Sequence, residues 1–330
     1  MKKKFYNKKI SEKLLIDKFL TKLNFNKKET FNFQNDAAFI QLKKNNKLIF
    51  TNDSIIEGID FFKNDNPKSI AQKILTINLS DLSAMGSYPY CYMMNLCIPK
   101  YINLEWVKIF TNHLFNLQKK YNFFLLGGDL SKSSKLMISS TFIGKTYSNK
   151  IISNNKVKLD DDIWVTGSLG QSYAGLKIIK SKSNKDIKKK FGNYFLKKYY
   201  YPKHSSLGPF IVNFSNSAKD ISDGFLGDLQ KIVKNRFGAK IFLKKLPISI
   251  KMKELIEKKF ITYKEILNCG DDYQLVFLSN KKNEKRLLKI AALHKIKITK
   301  VGKIIKDLGF YNDSNILIKS NKYYDHFLNS

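Results

Sequence analysis

Apolar residues recur along the first half of the chain with two different periods, which predict helices alternating with short strands. Spacings of three and four positions, typical of one face of an α-helix, occupy residues 10–25, 69–86 and 104–122. Short runs rich in β-branched and aromatic residues, typical of strands, occupy residues 37–42, 47–53 and 91–98, followed by "FFLLGGD" and "KLMISSTFIGKT". This alternation predicts an α/β or α+β fold.

The second half of the chain repeats the alternation after a polar stretch at residues 148–162. "IWVTGSLG" predicts a strand and a glycine turn leading into a helix, and the lysine-rich residues 180–190 predict an exposed loop or helix end. "AKDIS" predicts a short strand leading into the helix "GFLGDLQKIVKNRFG", with Gly238 as its C-cap. A strand at 272–279, a helix and a final strand follow. We therefore expect two domains, residues 1–148 and 149–330.

The chain is strongly basic, with 60 Lys and Arg against 27 Asp and Glu and a formal net charge of +33. Such a charge suits nucleic acid or an anionic membrane surface, because both present dense negative charge. However, the lysines are spread over the whole chain among Asn, Ile, Phe and Tyr, the residues that an AT-rich coding sequence favours. No recognition motif accompanies them, so a nucleic-acid role is disfavoured.

The apolar stretches, the N-terminal segment and the cysteines of the sequence all favour a cytoplasmic protein. No stretch approaches the roughly 18 apolar residues of a membrane-spanning helix. Polar and charged residues interrupt the N-terminal segment where a secretory signal would need an apolar core. The three cysteines lack the spacing of a zinc site and form no disulfide framework.

Aspartates recur at the ends of apolar runs, next to Gly, Ser, Thr or Asn, in a chain otherwise poor in acidic residues. They are Asp36, Asp53, Asp81, Asp129, Asp220 and Asp223. Any one of them alone would suit a turn or a helix cap. Together they favour a site for Mg²⁺, which takes hard oxygen ligands and bridges protein carboxylates to substrate phosphates.

The order of these segments resembles the thiamine-monophosphate kinase family, which shares a superfamily with aminoimidazole ribonucleotide synthetase and selenophosphate synthetase. The family's "TTDxLVEGVHF", "NLSDLAAMGAxP" and "GGDTT" correspond to "TNDSIIEGIDF", "NLSDLSAMGSYP" and "GGDLS". "DxIYVTGTLGxxxAGL", "AxDISDGLxxDL" and "SGGEDYEL" correspond to "DDIWVTGSLGQSYAGL", "AKDISDGFLGDL" and "NCGDDYQL". The resemblance runs unbroken from "QNDAAFI" to the C-terminal "YDHF".

The resemblance implies an ATP-dependent, Mg²⁺-assisted transfer of a phosphoryl group to thiamine monophosphate, giving thiamine diphosphate. It also implies a homodimer whose N-terminal domains form a barrel-like core, with a C-terminal α/β domain completing the ATP and substrate site. No protein nucleophile is required, because the acceptor phosphate oxygen is already anionic.

Site residues follow from the resemblance position by position. The implied metal ligands are Asp36, Thr51, Asn52, Asp53, Asp81, Asp129, Asp220 and Asp223. The implied ATP contacts are Gly128, Asp129, Ser222 and Asn154. The implied thiamine-substrate contacts are Asp60, Asp271 and Tyr324. Asp228, one turn into a helix, is expected to be structural.

Several positions depart from the family pattern. Asp60 stands where the family has His, Asn154 where it has an ATP-contacting Arg, and "CGDD" where it has "GGED". "IGKT" at 143–146 is not a phosphate-binding loop, because Ser139 replaces the required first glycine. Two alternatives remain: another ATP-dependent enzyme of the superfamily, such as a cyclo-ligase or selenophosphate synthetase, and a basic nucleic-acid-binding protein on a degenerate scaffold.

Overall fold

The computed structural model describes residues 11–33, 40, 46–147, 150–153, 156–181 and 184–318. The chain divides into two compact units. Unit 1 comprises Met1–Leu82 and Tyr88–Asn149, and unit 2 comprises Ser83–Ser87 and Lys150–Ser330. None of the helices among the described residues is long and apolar enough to cross a lipid bilayer.

Unit 1 is built on a four-stranded sheet with the order β1-β4-β2-β3. Its elements are α1 (Glu12–Leu15), which continues into further helical turns at Ile16–Leu20 and Thr21–Asn24, then β1 (Leu48–Ile56), α2 (Pro67–Ala84), β2 (Tyr88–Ile98), α3 (Leu104–Tyr121), β3 (Phe124–Lys132) and β4 (Met137–Lys145). β2 and β3 are parallel and joined through α3, whereas β4 pairs antiparallel with both β1 and β2.

One face of this sheet is covered by helices. The apolar stripes of α2 and α3, which include Ile74, Leu82 and Phe110, pack with Ile55 and Phe142 of the sheet. The four predicted elements β1, α2, β2 and α3 are therefore confirmed, because their apolar periods were set by this shared core.

Unit 2 contains a six-stranded sheet with the order β10-β7-β9-β5-β8-β6, antiparallel except for the pair β10 and β7. Its strands are β5 (Asp162–Thr166), β6 (Ser217–Asp220), β7 (Gly238–Ile241), β8 (Leu275–Ser279), β9 (Ile298–Ile305) and β10 (Phe310–Tyr311). Its helices are α4 (Gln171–Lys180), α5 (Lys185–Tyr200), α6 (Gly208–Ile211), α7 (Phe225–Val233), α8 (Ile250–Glu257), α9 (Tyr263–Asn268) and α10 (Glu284–Leu293).

The prediction that Gly238 caps the helix after "DISDG" is wrong. Helix α7 ends at Val233, where Lys234 adopts the left-handed conformation and its N–H donates to the Gln230 carbonyl. Gly238 instead begins β7, where a Cβ would lie only 2.0 Å from the Asp307 carbonyl oxygen. This glycine is therefore required by the close approach of the turn between β9 and β10, not by a helix end.

The lysine-rich stretch at 180–190 runs from the last residue of α4 to the first six residues of α5. α5 begins at Lys185 and runs for 16 residues, well beyond the predicted loop or helix end. Phe191 and Phe195 are buried in the core of unit 2 on one face of this helix, while Lys188 and Lys189 are exposed. The apolar period of α5 is hard to recognise in the sequence because lysines occupy so many of its solvent-facing positions.

Candidate functional site

Strand β1 presents three of the predicted metal ligands on alternating faces of the unit 1 sheet. On the helix-covered face, the Thr51 hydroxyl donates to Asp81 Oδ2 of α2 over 2.6 Å. Asp53, two residues further along β1, lies on the same face as Thr51. Asn52 lies on the other face, where its Nδ2 donates to the Thr141 hydroxyl over 2.7 Å. The strand thus separates Asn52 from the two carboxylates.

Two buried polar side chains accompany the carboxylates of unit 1. Ser140 lies directly opposite Asp53 in the β1–β4 ladder, and Asn78 precedes Asp81 by one turn of α2. Ser140 Oγ and Asn78 Oδ1 are both buried, and neither has a hydrogen-bond partner among the described residues. Buried polar atoms are normally satisfied, so unpaired oxygens near carboxylates fit a site that takes a hydrated hard cation.

Gly128 and Asp129 lie on β3, where the strand pairs with β2. A Cβ on Gly128 would lie 1.9 Å from the Met94 carbonyl oxygen, so only glycine permits this approach of the two strands. Asp129 is exposed, pairs in register with Asn95, and its Oδ2 accepts the Ser131 hydroxyl over 2.6 Å. Asp129 therefore lies on the face opposite Asp53.

Asp60 belongs to the turn that follows β1. Its Oδ2 accepts the backbone N–H of Ile56 over 2.8 Å, and its carbonyl accepts the Lys73 ammonium over 2.8 Å. Glu57, in the same turn, is buried and accepts the backbone N–H of Leu136 over 3.3 Å. Asp60 thus stabilises the turn in which the family has a histidine.

In unit 2, the segment "DISDG" forms the turn between β6 and α7. Asp220 ends β6 and is buried, whereas Asp223 is partly exposed in the turn. Asp228 is fully buried in the first turns of α7, and its Oδ2 accepts the backbone N–H groups of Ser222 and Asp223 over 3.0 and 2.9 Å. Asp228 therefore holds the turn in shape, as its helical position indicated.

Two lysines neutralise these carboxylates. Lys231 contacts Asp223 Oδ2 closely and lies 3.3 Å from Asp228 Oδ1. Lys219 lies 3.5 Å from Asp220 Oδ1 and 3.7 Å from Asp228 Oδ1. Burial alone would lower the pKa of Lys231, but its hydrogen bond to Asp223 and the charges of Asp228 and Asp223 outweigh burial and raise it.

A second loop of unit 2, "NCGDDYQ", packs against the "DISDG" turn. The Asp271 N–H donates to the Ser222 carbonyl over 3.0 Å, and a Cβ on Gly270 would lie 1.8 Å from that same carbonyl oxygen. Asp271 has a positive φ of 63°, and its Oδ1 accepts the Tyr273 hydroxyl over 2.7 Å. The structure thus brings Asp271 beside Ser222, two residues assigned to different substrates.

Sequence reasoning gave no role to Asp272, although it is the most deeply placed carboxyl of this loop. Its two oxygens accept the N–H groups of Gly170 and Gln171 over 2.7 and 3.2 Å, at the start of α4. Burial raises its pKa to about 7 despite these hydrogen bonds. The available signal was the "GSLG" turn before α4, whose N-terminal N–H groups need an acceptor.

Three predicted site residues, Asp36, Asn154 and Tyr324, lie outside the described residues. Among those described, no three or more His, Cys, Asp or Glu side chains are gathered closely enough to hold a metal ion. The predicted Mg²⁺ ligands are therefore distributed over the elements described above, and their shared role stays a prediction.

The N-terminal part of the chain resembles the aminoimidazole ribonucleotide synthetase-related class. Residues 34–146 match the family model described as AIR synthase related protein, N-terminal domain. The crystal structure of thiamine-monophosphate kinase from Stenotrophomonas maltophilia K279a is similar, with a TM-score of 0.80 and 27% identity, covering 92% of this chain and 97% of that one.

Two curated relatives identify the family within this class. Thiamine-monophosphate kinase of Buchnera aphidicola subsp. Schizaphis graminum is 35% identical over 300 residues, covering 89% of this chain and 91% of that protein. The protein of the same name from Escherichia coli K12 is 31% identical, covering 88% and 90%. The chain belongs to the thiamine-monophosphate kinase family.

Proposed function

We propose that this protein transfers the terminal phosphoryl group of ATP to thiamine monophosphate, giving thiamine diphosphate and ADP. The observation that carries the proposal is the 35% identity to a thiamine-monophosphate kinase along nearly the whole of both chains. That match covers 89% of this chain, and the aspartate-bearing segments stand along the chain in the order of the family motifs that they resemble.

We propose that several Mg²⁺ ions are held by residues of one set, and that each ion takes only some of them as ligands. The set is Asp36, Thr51, Asn52, Asp53, Asp81, Asp129, Asp220 and Asp223. The donor set fits, because it consists of hard oxygens, with the buried Ser140 Oγ and Asn78 Oδ1 nearby to hold metal-bound water. When bound, the ions would neutralise the charge of two phosphate-bearing substrates that otherwise repel each other.

The remaining residues bind and orient the substrates. Gly128 leaves backbone exposed where a phosphate could approach, and Ser222, Asp129 and Asn154 are proposed to contact ATP. Asp60, Asp271 and Tyr324 are proposed to contact thiamine monophosphate, the tyrosine packing against an aromatic ring. Because the acceptor oxygen is already anionic, positioning and charge neutralisation suffice for an in-line transfer.

We further propose a cytoplasmic homodimer. The N-terminal domain, residues 1–148, supplies metal ligands and the dimer contact, and residues 149–330 complete the ATP and substrate site. The exposed apolar side chains Phe50 and Met93, on the sheet face of unit 1 opposite α2 and α3, suit such a contact.

A coupled assay of ADP release with ATP, Mg²⁺ and thiamine monophosphate tests the activity. We expect turnover that depends on all three components. Absence of turnover with this acceptor would reject the proposal, and turnover only with another acceptor would favour a different enzyme of the superfamily.

Substitutions test the metal ligands. Asp53→Asn and Asp129→Asn each remove a carboxylate charge with little change of shape, so we expect kcat to fall about 100-fold or more while the melting temperature is kept. Asp186→Asn, an exposed position on α5, is the matched control and should keep full activity. Near wild-type kcat in both site variants would remove their assigned roles.

A further inference from the structure

Lys231 forms an ion pair with one of the proposed metal ligands. It extends from α7 to Asp223, eight residues earlier in the chain, and also reaches Asp228, three residues earlier. The side chains of Lys231 and Asp223 are 37% and 30% exposed, so the pair is open to solvent and to a small ion. Lys231 thus holds a positive charge where the proposed function requires a metal ion.

The two carboxylate partners of Lys231 differ in their freedom. Asp228 has no exposed surface and is fixed by the two backbone N–H groups that it accepts, so it cannot turn away without breaking the turn. Asp223 supplies only its backbone N–H to that network and is partly exposed. Lys231 can therefore release Asp223 while Asp228 continues to hold its ammonium group.

An ammonium group and a divalent cation compete for the Asp223 carboxylate, and each binds it more weakly when the other is close. Mg²⁺ binds carboxylate oxygens at about 2.0–2.1 Å, and a positive charge within hydrogen-bonding distance of the same carboxylate would repel the ion. Lys219 adds a second ammonium group 3.5 Å from Asp220. Without metal, the two lysines offset the mutual repulsion of three carboxylates.

We propose that the Lys231 ammonium group forms an ion pair with Asp223 in the metal-free protein. When a divalent cation binds, it displaces Lys231 from Asp223, and Lys231 stays paired with Asp228. This inference rests on the metal role of Asp223 in the proposed function. Lys231 is then a positioning residue. It stabilises the "DISDG" turn in the metal-free protein, and it lowers the affinity of Asp223 for the metal.

The test measures binding of Mn²⁺, as a probe for Mg²⁺, to the full-length protein by following free Mn²⁺ with electron paramagnetic resonance. Lys231→Gln removes the charge but keeps a donor for Asp228. We expect its apparent Mn²⁺ affinity to rise roughly three- to tenfold, as for loss of a partly exposed competing ion pair. Its metal-free melting temperature should fall, and Mn²⁺ should raise that temperature more than in the wild type.

Controls separate this displacement from a general change in charge. Lys231→Arg keeps the charge, and Lys264→Gln removes an equal charge from an exposed position on α9, so both should bind Mn²⁺ within about twofold of the wild type. In an Asp223→Asn background, Lys231→Gln should give no further gain in affinity. A gain that persists there would overturn the inference.

The remaining outcomes distinguish this inference from the proposed function. If the wild type binds Mn²⁺ and phosphorylates thiamine monophosphate but Lys231→Gln leaves affinity unchanged or weaker, Lys231 is only structural and the inference alone fails. If neither protein binds Mn²⁺, both the inference and the proposed metal site fail.

Discussion

At the scale of single residues, burial decides what each aspartate does. Asp223 and Asp228 stand in one short stretch of sequence, yet the first is partly exposed and the second fully buried. The buried one binds backbone N–H groups and therefore stabilises the turn, whereas the exposed one is open to ions. Its position one turn into α7 indicated a structural role for Asp228, because from there the carboxylate accepts backbone N–H groups of the turn that precedes the helix.

The raised pKa of Asp272 predicts that the stability of the folded protein depends on pH. Its pKa of about 7 in the folded protein exceeds the ordinary value near 3.9, so the folded state binds a proton that the unfolded state has released between these pH values. The stabilisation is complete below about pH 4 and is lost as pH rises to about 7, by at most about 1.4 kcal/mol per pH unit.

The comparison is with Asp272→Asn, which cannot titrate. Melting temperatures measured from pH 5 to pH 8 should show the wild type losing stability relative to this variant up to about pH 7, then staying parallel. A constant difference across that range would mean that Asp272 is charged throughout, held by the N–H groups of Gly170 and Gln171.

The "GSLG" turn indicates that the start of α4 needs an acceptor, but no local pattern in the sequence identifies Asp272 as that acceptor. Its partner Gly170 lies 102 residues away in the chain, and only the folded unit brings them together. The carboxylates that the sequence did single out stand at the ends of apolar runs beside Gly, Ser, Thr or Asn, a pattern that is visible locally. In the structure Asp53 and Asp129 lie inside β1 and β3, Asp81 lies in α2, and Asp220 ends β6. Sequence therefore identified candidate ligands but not the residue that joins two loops.

At the scale of elements, the contact between two loops of unit 2 depends on a glycine. A methyl group at Gly270 would lie 1.8 Å from the Ser222 carbonyl oxygen, a rigid backbone atom. We expect Gly270→Ala to force the loops apart and to destabilise the protein by about 1–3 kcal/mol. A thermal melt should show a loss of several degrees.

Gly192→Ala is the matched control for this substitution. Its added methyl group would meet only the side chains of Lys188 and Leu196, at 3.7 and 3.8 Å, inside helix α5. Alanine also favours a helix over glycine, so the melting temperature should stay or rise slightly. Equal losses in both variants would show that the close approach to Ser222 is not what requires glycine at position 270.

Elements were predictable where their apolar period was complete. α2 and α3 bury an apolar stripe against the sheet of unit 1, and that stripe is readable in sequence. Gly238 was misassigned because a glycine after a helical pattern suits a C-cap as well as a strand start, and the neighbouring carbonyl that decides comes from Asp307. Long-range packing, which sequence periodicity does not contain, settled this boundary.

At the scale of the whole molecule, the proposed homodimer gives a further prediction. Met93 is 44% exposed in the middle of the unit 1 sheet, on the face opposite the helices. We expect sedimentation to give twice the 38.3 kDa mass of one chain. Met93→Lys should shift the protein towards that single-chain mass, because an unpaired charge would be buried in the contact.

The control is Leu293→Lys, which replaces an equally apolar and more exposed residue, 77% exposed, on α10 of unit 2. This variant should sediment like the wild type. A wild type that sediments as a single chain, or a Met93→Lys protein that remains dimeric, would contradict the proposed contact. The outcome is independent of the charge of +33, because the control adds the same lysine.

The chain passes between its two units three times, at residues 82–83, 87–88 and 149–150. The short segment Ser83–Ser87 contributes to the core of unit 2, where the Gly208 N–H donates to Ser83 Oγ over 3.2 Å and the Ile152 N–H to the Met85 carbonyl over 3.1 Å. If the chain were divided at residue 150, the C-terminal fragment would lack part of its core. The N-terminal fragment would carry Ser83–Ser87 without the residues of unit 2 that pack against them. Any division of the chain at residue 150 therefore separates Ser83–Ser87 from the rest of unit 2, and we expect neither fragment to fold with the stability of the intact chain.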